Sequence, residues 1–228
     1  MIADQVHARN TDETHFAIEK SQLAVDRLES LESVFSDGDF SANLTPFIEK
    51  MRLIKSADEI EKLKIAGKWD DFALQKGFEA VALGKTEDQI AADLQYALMQ
   101  NGIMELSFPS LVQAGAHAAE PHGATSENQV QNNQLVLFDL GTVWQGYISD
   151  ASRTVAVGKP DEKSMDIYNV CLEAQLTAQA AAKPGITAEE LDKIARDVIT
   201  KAGYGEYFIH RLGHGTVSYT HLTLPTIL

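Results

Sequence analysis

An internal repeat constrains the fold of this chain more than any other feature of its sequence. Residues 84–90 (GKTEDQI) are similar to residues 185–191 (GITAEEL), an offset of 101, and at the same offset Gly102 matches Gly203. Each copy opens a helix with a capping box and closes it with a glycine. One such motif is a common way to begin any helix, but two matching landmarks at one offset favour a duplicated structural unit.

The duplicated unit is predicted to contain a long helix, the capped helix and a strand. The long helices are expected over residues 56–81 and about 162–182, and the strands over 108–114 and 207–212. Two β-rich segments, residues 134–140 and 147–157, lie between the copies. Strands flanked by paired helices predict an α+β fold in which helices pack on the outer face of one curved sheet.

The first part of the chain predicts a separate, smaller module. Residues 15–18 (HFAI) are expected to form a strand, and an amphipathic helix is expected from Ser21 to about Ser33. Residues 35–44 are polar and contain Gly38, which predicts a loop between the modules.

Composition and charge exclude several classes of protein. The formal net charge is −14, so the chain offers no cationic surface with which to bind nucleic acid. No apolar run approaches the roughly 20 residues needed to cross a bilayer, and residues 1–15 lack the basic start and apolar core of a secretory signal. Cys171 is the only cysteine, which excludes an internal disulfide and a cysteine-built metal site. We therefore expect a cytoplasmic protein without nucleic-acid or membrane partners.

The first candidate for chemistry is Asp139, which lies in the apolar segment 135–140 (LVLFDL). A strand that is apolar on both faces is expected to be buried, so the carboxylate needs a positive partner. Asp150 follows at the end of the neighbouring segment, where a hairpin can bring the two carboxylates together. A cation between them relieves their repulsion, and carboxylate with imidazole suits manganese, cobalt or zinc. Spacing alone equally allows simpler roles, with Arg153 neutralising Asp150 and Asp139 capping a turn.

Three histidines are candidates for binding or catalysis. His214 stands between Gly213 and Gly215, which would let the backbone and a metal approach closely. His210 would face the same way as His214 on a strand, and His122 lies in a predicted loop that follows a strand. Taken singly, each of these histidines is equally well explained as a satisfied polar residue.

These residues resemble the motifs of the pita-bread peptidases, a group that includes methionine aminopeptidase, aminopeptidase P and prolidase. The similarity covers roughly residues 14–215. The paired-aspartate motif is similar to residues 136–141 (VLFDLG) and 146–154 (GYISDASRT), and the histidine motif to residues 210–215 (HRLGHG). The family's substrate loop is similar to residues 107–109, 115 and 121–122. The start of the catalytic domain in proline-specific members is similar to residues 52–56 and 59–60.

The resemblance implies an incomplete pita-bread (creatinase/aminopeptidase) fold, a curved antiparallel sheet with helices on its outer face. By position, Asp139 corresponds to a residue that bridges two divalent metal ions or binds the first of them. Asp150 corresponds to a ligand shared by both ions, and His214 to a ligand of the second. His122 and His210 correspond to the catalytic histidines that hold substrate and pass protons. The resemblance also implies manganese, with cobalt or zinc as alternatives, a proline-containing dipeptide or short peptide as substrate, and a homodimer.

The chain departs from the family pattern in two places. His117 stands where a small amide side chain is more usual. After Gly215, two further glutamate ligands of the family are missing, and residues 217–226 (VSYTHLTLPT) match the translation of a transposon-end adapter used in sequencing libraries. We therefore expect residues 217–228 to be a non-native tail, exclude His221 from the site, and expect the chain as written to be inactive.

The expected domains are residues 1–48, a remnant of an N-terminal domain with its connector, and residues 49–216, a C-terminally truncated catalytic domain. The favoured function is that of an Xaa-Pro dipeptidase, ahead of aminopeptidase P. Two alternatives are a metal-free member of the fold that acts as a binding module, and a creatinase-like amidinohydrolase. The presence of Asp139, Asp150 and His214 together argues against a metal-free binding module. A creatinase-like amidinohydrolase would not need the aspartate pair.

Overall fold

The computed structural model describes residues 14–121 and 123–215. Within them, contacts divide the chain into two compact units, one ending at Lys55 and the other beginning at Ser56. Among these residues, no helix combines the length and the apolar composition that a membrane span requires. The predicted non-native tail, residues 217–228, lies outside the described residues.

The first unit contains helices α1 (Val25–Val34) and α2 (Thr45–Leu53). Helix α1 begins four residues later than the predicted start at Ser21. Helix α2 was missed by the sequence analysis, although Pro46 in its first turn is a helix-start signal. Proline is tolerated there because its missing N–H has no partner within the helix in any case.

The strand predicted at residues 15–18 is wrong, since this segment forms no continuous strand. His15 and Ile18 make isolated parallel bridges to Asp39 and Asn43. The side chains of Asp39 and Asn43 accept hydrogen bonds from the backbone N–H two residues further on, at 2.8 and 3.0 Å. These local turns interrupt the extended backbone that a continuous ladder would need.

The second unit begins with the predicted long helix, α3 (Ala57–Ala80), followed by α4 (Glu87–Gln100). The capping box at the start of α3 is present. Ser56 Oγ accepts from the backbone N–H of Glu59 at 3.3 Å, and the Glu59 carboxylate accepts from the backbone N–H of Ser56 at 2.7 Å. Two N–H groups at the helix start are thereby satisfied, as the sequence predicted.

The sheet of this unit has three antiparallel strands in the spatial order β1–β2–β5. Their bounds are β1 (Leu111–Ala114), β2 (Gln134–Leu140) and β5 (Ala151–Val157), and the small hairpin β3 (Val143–Trp144) with β4 (Tyr147–Ile148) joins β2 to β5. The antiparallel sheet predicted between the copies is confirmed. Strand β1 is shorter than predicted, and Pro109 near its expected start has no N–H to donate to a ladder.

One face of the sheet is packed against α3 and α4. Alternate residues of β2, namely Val136, Phe138 and Leu140, are fully buried there. A Cβ added to Gly77 of α3 would lie 2.7 Å from Phe138, so the helix approaches the sheet closely at this point. The other face of β2 is only half-buried, which corrects the prediction that Asp139 is enclosed on both sides. Asp139 therefore lies on the face that can line a cleft.

The two copies of the repeat match in structural detail. Helix α4 and helix α6 (Ala188–Lys201) each have 14 residues and each begin with a capping box on threonine. Each ends at a glycine with positive φ, 82° at Gly102 and 89° at Gly203. Buried positions also correspond at the offset of 101: Ala73, Gly77, Leu94 and Leu98 in the first copy, and Ala174, Ala178, Ala195 and Ile199 in the second. These matches support duplication, with α5 (Glu162–Ala181) as the counterpart of α3.

The second predicted strand, residues 207–212, is wrong. After a short 3-10 helix at Gly205–Tyr207, the chain is irregular through Gly215. Side chains of α6 bind the backbone polar groups of this segment in the place of a neighbouring strand. With those groups satisfied locally, the segment has no need of a ladder.

Candidate active site

The sheet register places Asp139 and Asp150 on one face. Asp139 pairs with Ser152 across β2 and β5, and Asp150 precedes Ser152 by two residues. Because side chains alternate along an extended chain, Asp139, Ser152 and Asp150 share the face opposite the buried core. The Ser152 hydroxyl donates to Asp139 Oδ1 at 2.7 Å, which orients that carboxylate.

The charge of Asp139 acts on Asp150, which is consistent with their positions on one face of the sheet. Burial raises the pKa of Asp150, the negative charge of Asp139 raises it further, and the neighbouring imidazole of His214 opposes both effects. Asp139 lies near enough for its negative charge to disfavour the ionised form of Asp150. A cation between them would remove this conflict.

His214 lies directly against Asp150. Its Nε2 is 3.4 Å from Asp150 Oδ2, and its Nδ1 is 2.9 Å from the carbonyl oxygen of Gly215. Among the described residues, a Cβ added to Gly213 or Gly215 would meet no atom within 4 Å. That the flanking glycines let a metal approach closely stays a prediction.

The simpler role for Arg153 is not favoured by this geometry. Arg153 pairs with Phe138 across the sheet, so it lies on the face opposite Asp150. Its Nη1 donates to the carbonyl of Ser152 at 2.8 Å. Neutralisation of Asp150 by Arg153 would require the arginine side chain to cross to the other face of the sheet.

The donor set suits a divalent cation, although no three ligating groups among residues 14–121 and 123–215 are already gathered at metal-binding spacing. Two carboxylates and one imidazole are the ligand types that manganese, cobalt and zinc accept. The pair of mutually repelling acids, with an imidazole on one of them, fits such an ion chemically.

The two predicted catalytic histidines are placed differently by the structure. His122 lies outside the described residues. His210 is exposed in the irregular segment before His214, with its Nδ1 2.9 Å from the carbonyl oxygen of Arg211. Their catalytic roles stay predictions.

A buried network beneath Asp150 was not foreseen. Asp70 of α3 is 1% exposed, and its Oδ1 accepts a hydrogen bond from Ser149 Oγ at 2.8 Å. Thr142 Oγ1 donates to the carbonyl of Ala66 in the same helix at 2.9 Å. Burial raises the pKa of Asp70 to about 6, against the effect of hydrogen bonds from Ser149 and Thr142. Through these hydrogen bonds, α3 holds in place the hairpin that precedes Asp150.

The sequence did contain a signal for this network. Asp70 interrupts an otherwise small and apolar stripe on α3, formed by Ala66, Ala73, Leu74 and Gly77. An acidic residue at such a position must find hydrogen-bond donors from a packed neighbour.

A second unforeseen network surrounds Glu87, the first residue of α4, which is fully buried. Its carboxylate accepts from the backbone N–H of Ala114 at 2.7 Å and contacts His117 Nδ1 at 2.8 and 3.0 Å. It also accepts from Ser126 and from Asn128 Nδ2 at 2.8 Å. Glu87 therefore forms hydrogen bonds with residues near both ends of the loop that joins β1 to β2.

The Glu87 network gives a role to His117, which stands where the family more usually has a small amide side chain. Burial acts to raise the pKa of Glu87, but hydrogen bonds from Asn128, His117, Ala114 and Ser126 outweigh it and lower the pKa. The hydrogen bond to Glu87 in turn raises the pKa of His117. His117 thus serves as a hydrogen-bond partner of Glu87 within the loop.

Comparisons with known proteins give a consistent result. The model of "Metallopeptidase family M24" matches residues 61–227. An Xaa-Pro dipeptidase of Lactobacillus helveticus is 53% identical over 222 residues, which are 97% of this chain and 60% of that relative.

Two solved structures are also similar. An Xaa-Pro dipeptidase from Bacillus anthracis has a TM-score of 0.89 and 34% identity over 98% of this chain and 63% of its own. A prolidase from Pyrococcus horikoshii OT3 has a TM-score of 0.88 and 37% identity over 99% of this chain and 66% of its own. The chain thus spans about 60% of the length of the curated relative it matches.

Proposed function

The chain belongs to metallopeptidase family M24 and has the pita-bread fold of that family, and we propose that it forms part of a two-metal peptidase that hydrolyses Xaa-Pro bonds. The observation that carries this proposal is the placement of Asp139 and Asp150 on one sheet face with His214 Nε2 3.4 Å from Asp150. The substrates are proline-containing dipeptides or short peptides, as the name of the Lactobacillus relative suggests.

Asp139, Asp150 and His214 are the residues that would hold the two divalent ions, with manganese preferred and cobalt or zinc as alternatives. When bound, such ions supply an activated water at neutral pH and polarise the scissile carbonyl. The hydrogen bond from Ser152 aims the Asp139 carboxylate, and the Asp70–Ser149 bond steadies the turn before Asp150.

The remaining roles in the proposal belong to the histidines. His122 and His210 hold the substrate and pass protons between the attacking water and the leaving amine. The Glu87 network holds the ends of the loop in which His122 lies. We further propose a cytoplasmic homodimer, which the family resemblance implies and the composition allows.

Activity is best tested in a chimera. Residues 14–215 of this chain would replace the matching segment of the Lactobacillus helveticus dipeptidase, which supplies the rest of a complete relative. With manganese, we expect the chimera to cleave Xaa-Pro dipeptides within about tenfold of that parent. The chain alone is expected to be inactive, because three ligands are too few for two bridged ions.

Matched variants identify the residues responsible. Asp139→Asn, Asp150→Asn and His214→Ala are each expected to lower kcat/KM by about a thousandfold or more, since each removes a ligand. Asp71→Asn, on an exposed face of α3, is the control and should leave kcat/KM unchanged. Cleavage of Xaa-Pro-Xaa peptides alone would indicate an aminopeptidase instead. Dipeptide binding without turnover or metal dependence would indicate a binding module.

A further inference from the structure

The segment that leads to His214 is attached to α6 by one ion pair. Asp192 and Arg196 are four residues apart on that helix, and Arg196 Nε donates to Asp192 Oδ2 at 2.9 Å. The guanidinium lowers the pKa of Asp192, so the pair remains charged. Side-chain exposures of 38% for Arg196 and 24% for Asp192 place the pair partly under the segment rather than in open solvent.

Both members of the pair also bind the backbone of the segment. Arg196 Nη1 donates to the carbonyl of Phe208 at 2.8 Å, and Nη2 donates to the carbonyl of His210 at 2.9 Å. Asp192 Oδ1 accepts from the backbone N–H of Leu212 at 2.7 Å. Three backbone groups within five residues are thereby held by two side chains of a rigid helix.

Packing alone does not hold the middle of this segment. Phe208 and Leu212 pack against the small core between α5 and α6, and the Arg196 guanidinium lies 4.4 Å from the centre of the Phe208 ring. Between them, Ile209 is 79% exposed. The hydrogen bonds of the ion pair therefore help to order the backbone around His210, two residues before Leu212 and four before His214.

We propose that Asp192 and Arg196 are positioning residues that fix the segment 208–212 and so deliver His210 and His214 to the candidate metal site beside Asp150. This inference rests on the proposed function only in treating the site beside Asp150 as a metal site. Arg196 is suited to the task because its rigid planar fork presents separate N–H groups to two carbonyls and a carboxylate, whereas lysine carries all its donors on one nitrogen.

The test uses the 228-residue chain and two measurements. Amide hydrogen exchange is followed at residues 208–215 and, for comparison, at Ala195 and Ile199 in the core of α6. Manganese is then titrated while the broadening of the His214 ring protons is recorded by NMR, because a bound paramagnetic ion broadens only nearby nuclei. The variants are Arg196→Met, Arg196→Lys and Asp192→Ala.

The matched control lies on the same helix. Lys193 and Asp197 form an ion pair of the same four-residue spacing, at 2.7 Å, with side chains 69% and 64% exposed. Lys193→Met removes a surface ion pair but no backbone contact of the segment. It should leave both measurements unchanged.

Arg196→Met is expected to speed exchange at residues 208–215 while Ala195 and Ile199 keep their protection. It should also raise the manganese concentration at half-broadening by about tenfold or more, as when other residues that orient metal ligands are removed. Arg196→Lys should recover part of both losses, and Asp192→Ala, which removes the acceptor of the Leu212 N–H, should resemble Arg196→Met at Leu212.

Three results would overturn the proposal. One is unchanged exchange at residues 208–215 in Arg196→Met. Another is faster exchange there only together with Ala195 and Ile199, which would make the pair a helix stabiliser. The third is an unchanged manganese midpoint despite faster exchange. Absence of His214 broadening in the unaltered chain would instead contradict the proposed metal site, and the exchange data would still decide whether the pair holds the segment.

Discussion

His214 Nε2 lies 3.4 Å from Asp150 Oδ2, although 64 positions separate the two residues in the chain. Asp150 comes from the hairpin between β2 and β5, whereas His214 follows the last helix of the second repeat. Their contact therefore brings the sheet and the second repeat together at the proposed site.

Gly77 is required where α3 meets the sheet. In Gly77→Ala the new methyl would lie 2.7 Å from Phe138 Cε1, so the ring or the helix must shift. We expect the free energy of unfolding to fall by about 1–3 kcal/mol, the usual cost of overpacking a filled core. Urea denaturation followed by circular dichroism measures this loss.

Gly67→Ala is the matched control, because a methyl at Gly67 in the same helix meets nothing within 4 Å. It should stabilise the protein by roughly 0.5–1 kcal/mol through helix propensity. Equal effects of the two substitutions would contradict the described contact with Phe138.

Asp70 is expected to make stability depend on pH. Its pKa is raised to about 6 in the folded protein from an ordinary 3.8, so folding favours the protonated form. Stability from this group is greatest below pH 4 and is lost as pH rises from about 4 to about 6. The loss is on the order of 2–3 kcal/mol, at about 1.4 kcal/mol per pKa unit.

Asp70→Asn should flatten that pH dependence, since an amide oxygen can still accept from Ser149 Oγ but does not titrate. The measurement is urea denaturation at pH 4 and pH 6.5, with Asp71→Asn as the control. A pH profile of Asp70→Asn that matches that of the unaltered protein would show that Asp70 is not the group responsible.

His117 should also make stability depend on pH, but because of a hydrogen bond rather than burial. Its pKa is raised above the ordinary 6.5 by the hydrogen bond to Glu87. The stabilisation is fully present below pH 6.5 and is lost as pH rises through the raised pKa. In His117→Asn, the decrease in the free energy of unfolding between pH 6 and pH 9 should be smaller than in the unaltered protein. An unchanged decrease in His117→Asn would refute the Glu87–His117 pairing.

Local signals in the sequence predicted the helical repeat well. The capping boxes at Ser56, Thr86 and Thr187 are formed as expected, because they depend only on residues within one turn. The pairing of β2 with β5 was also accessible, because the two segments are close in sequence. The expected hairpin allowed Asp139 and Asp150 to come together, although spacing alone did not decide between a metal site and simpler roles.

Features that depend on distant partners could not be predicted in this way. The networks of Asp70 and Glu87 join residues 79 and about 30 to 40 positions apart, and no local pattern reveals such partners. The strand predicted at residues 207–212 failed for the same reason. Its extended pattern is compatible with a ladder, but side chains of α6 bind its backbone instead.

The central claim is that Asp139, Asp150 and His214 bind divalent metal. Anomalous diffraction from crystals of the chimera soaked with manganese tests it most directly. We predict an anomalous peak in contact with the carboxylates of Asp139 and Asp150 and with the His214 imidazole, and its loss in Asp150→Asn. Crystals that show no peak at these residues, at a manganese concentration that supports turnover, would contradict the claim.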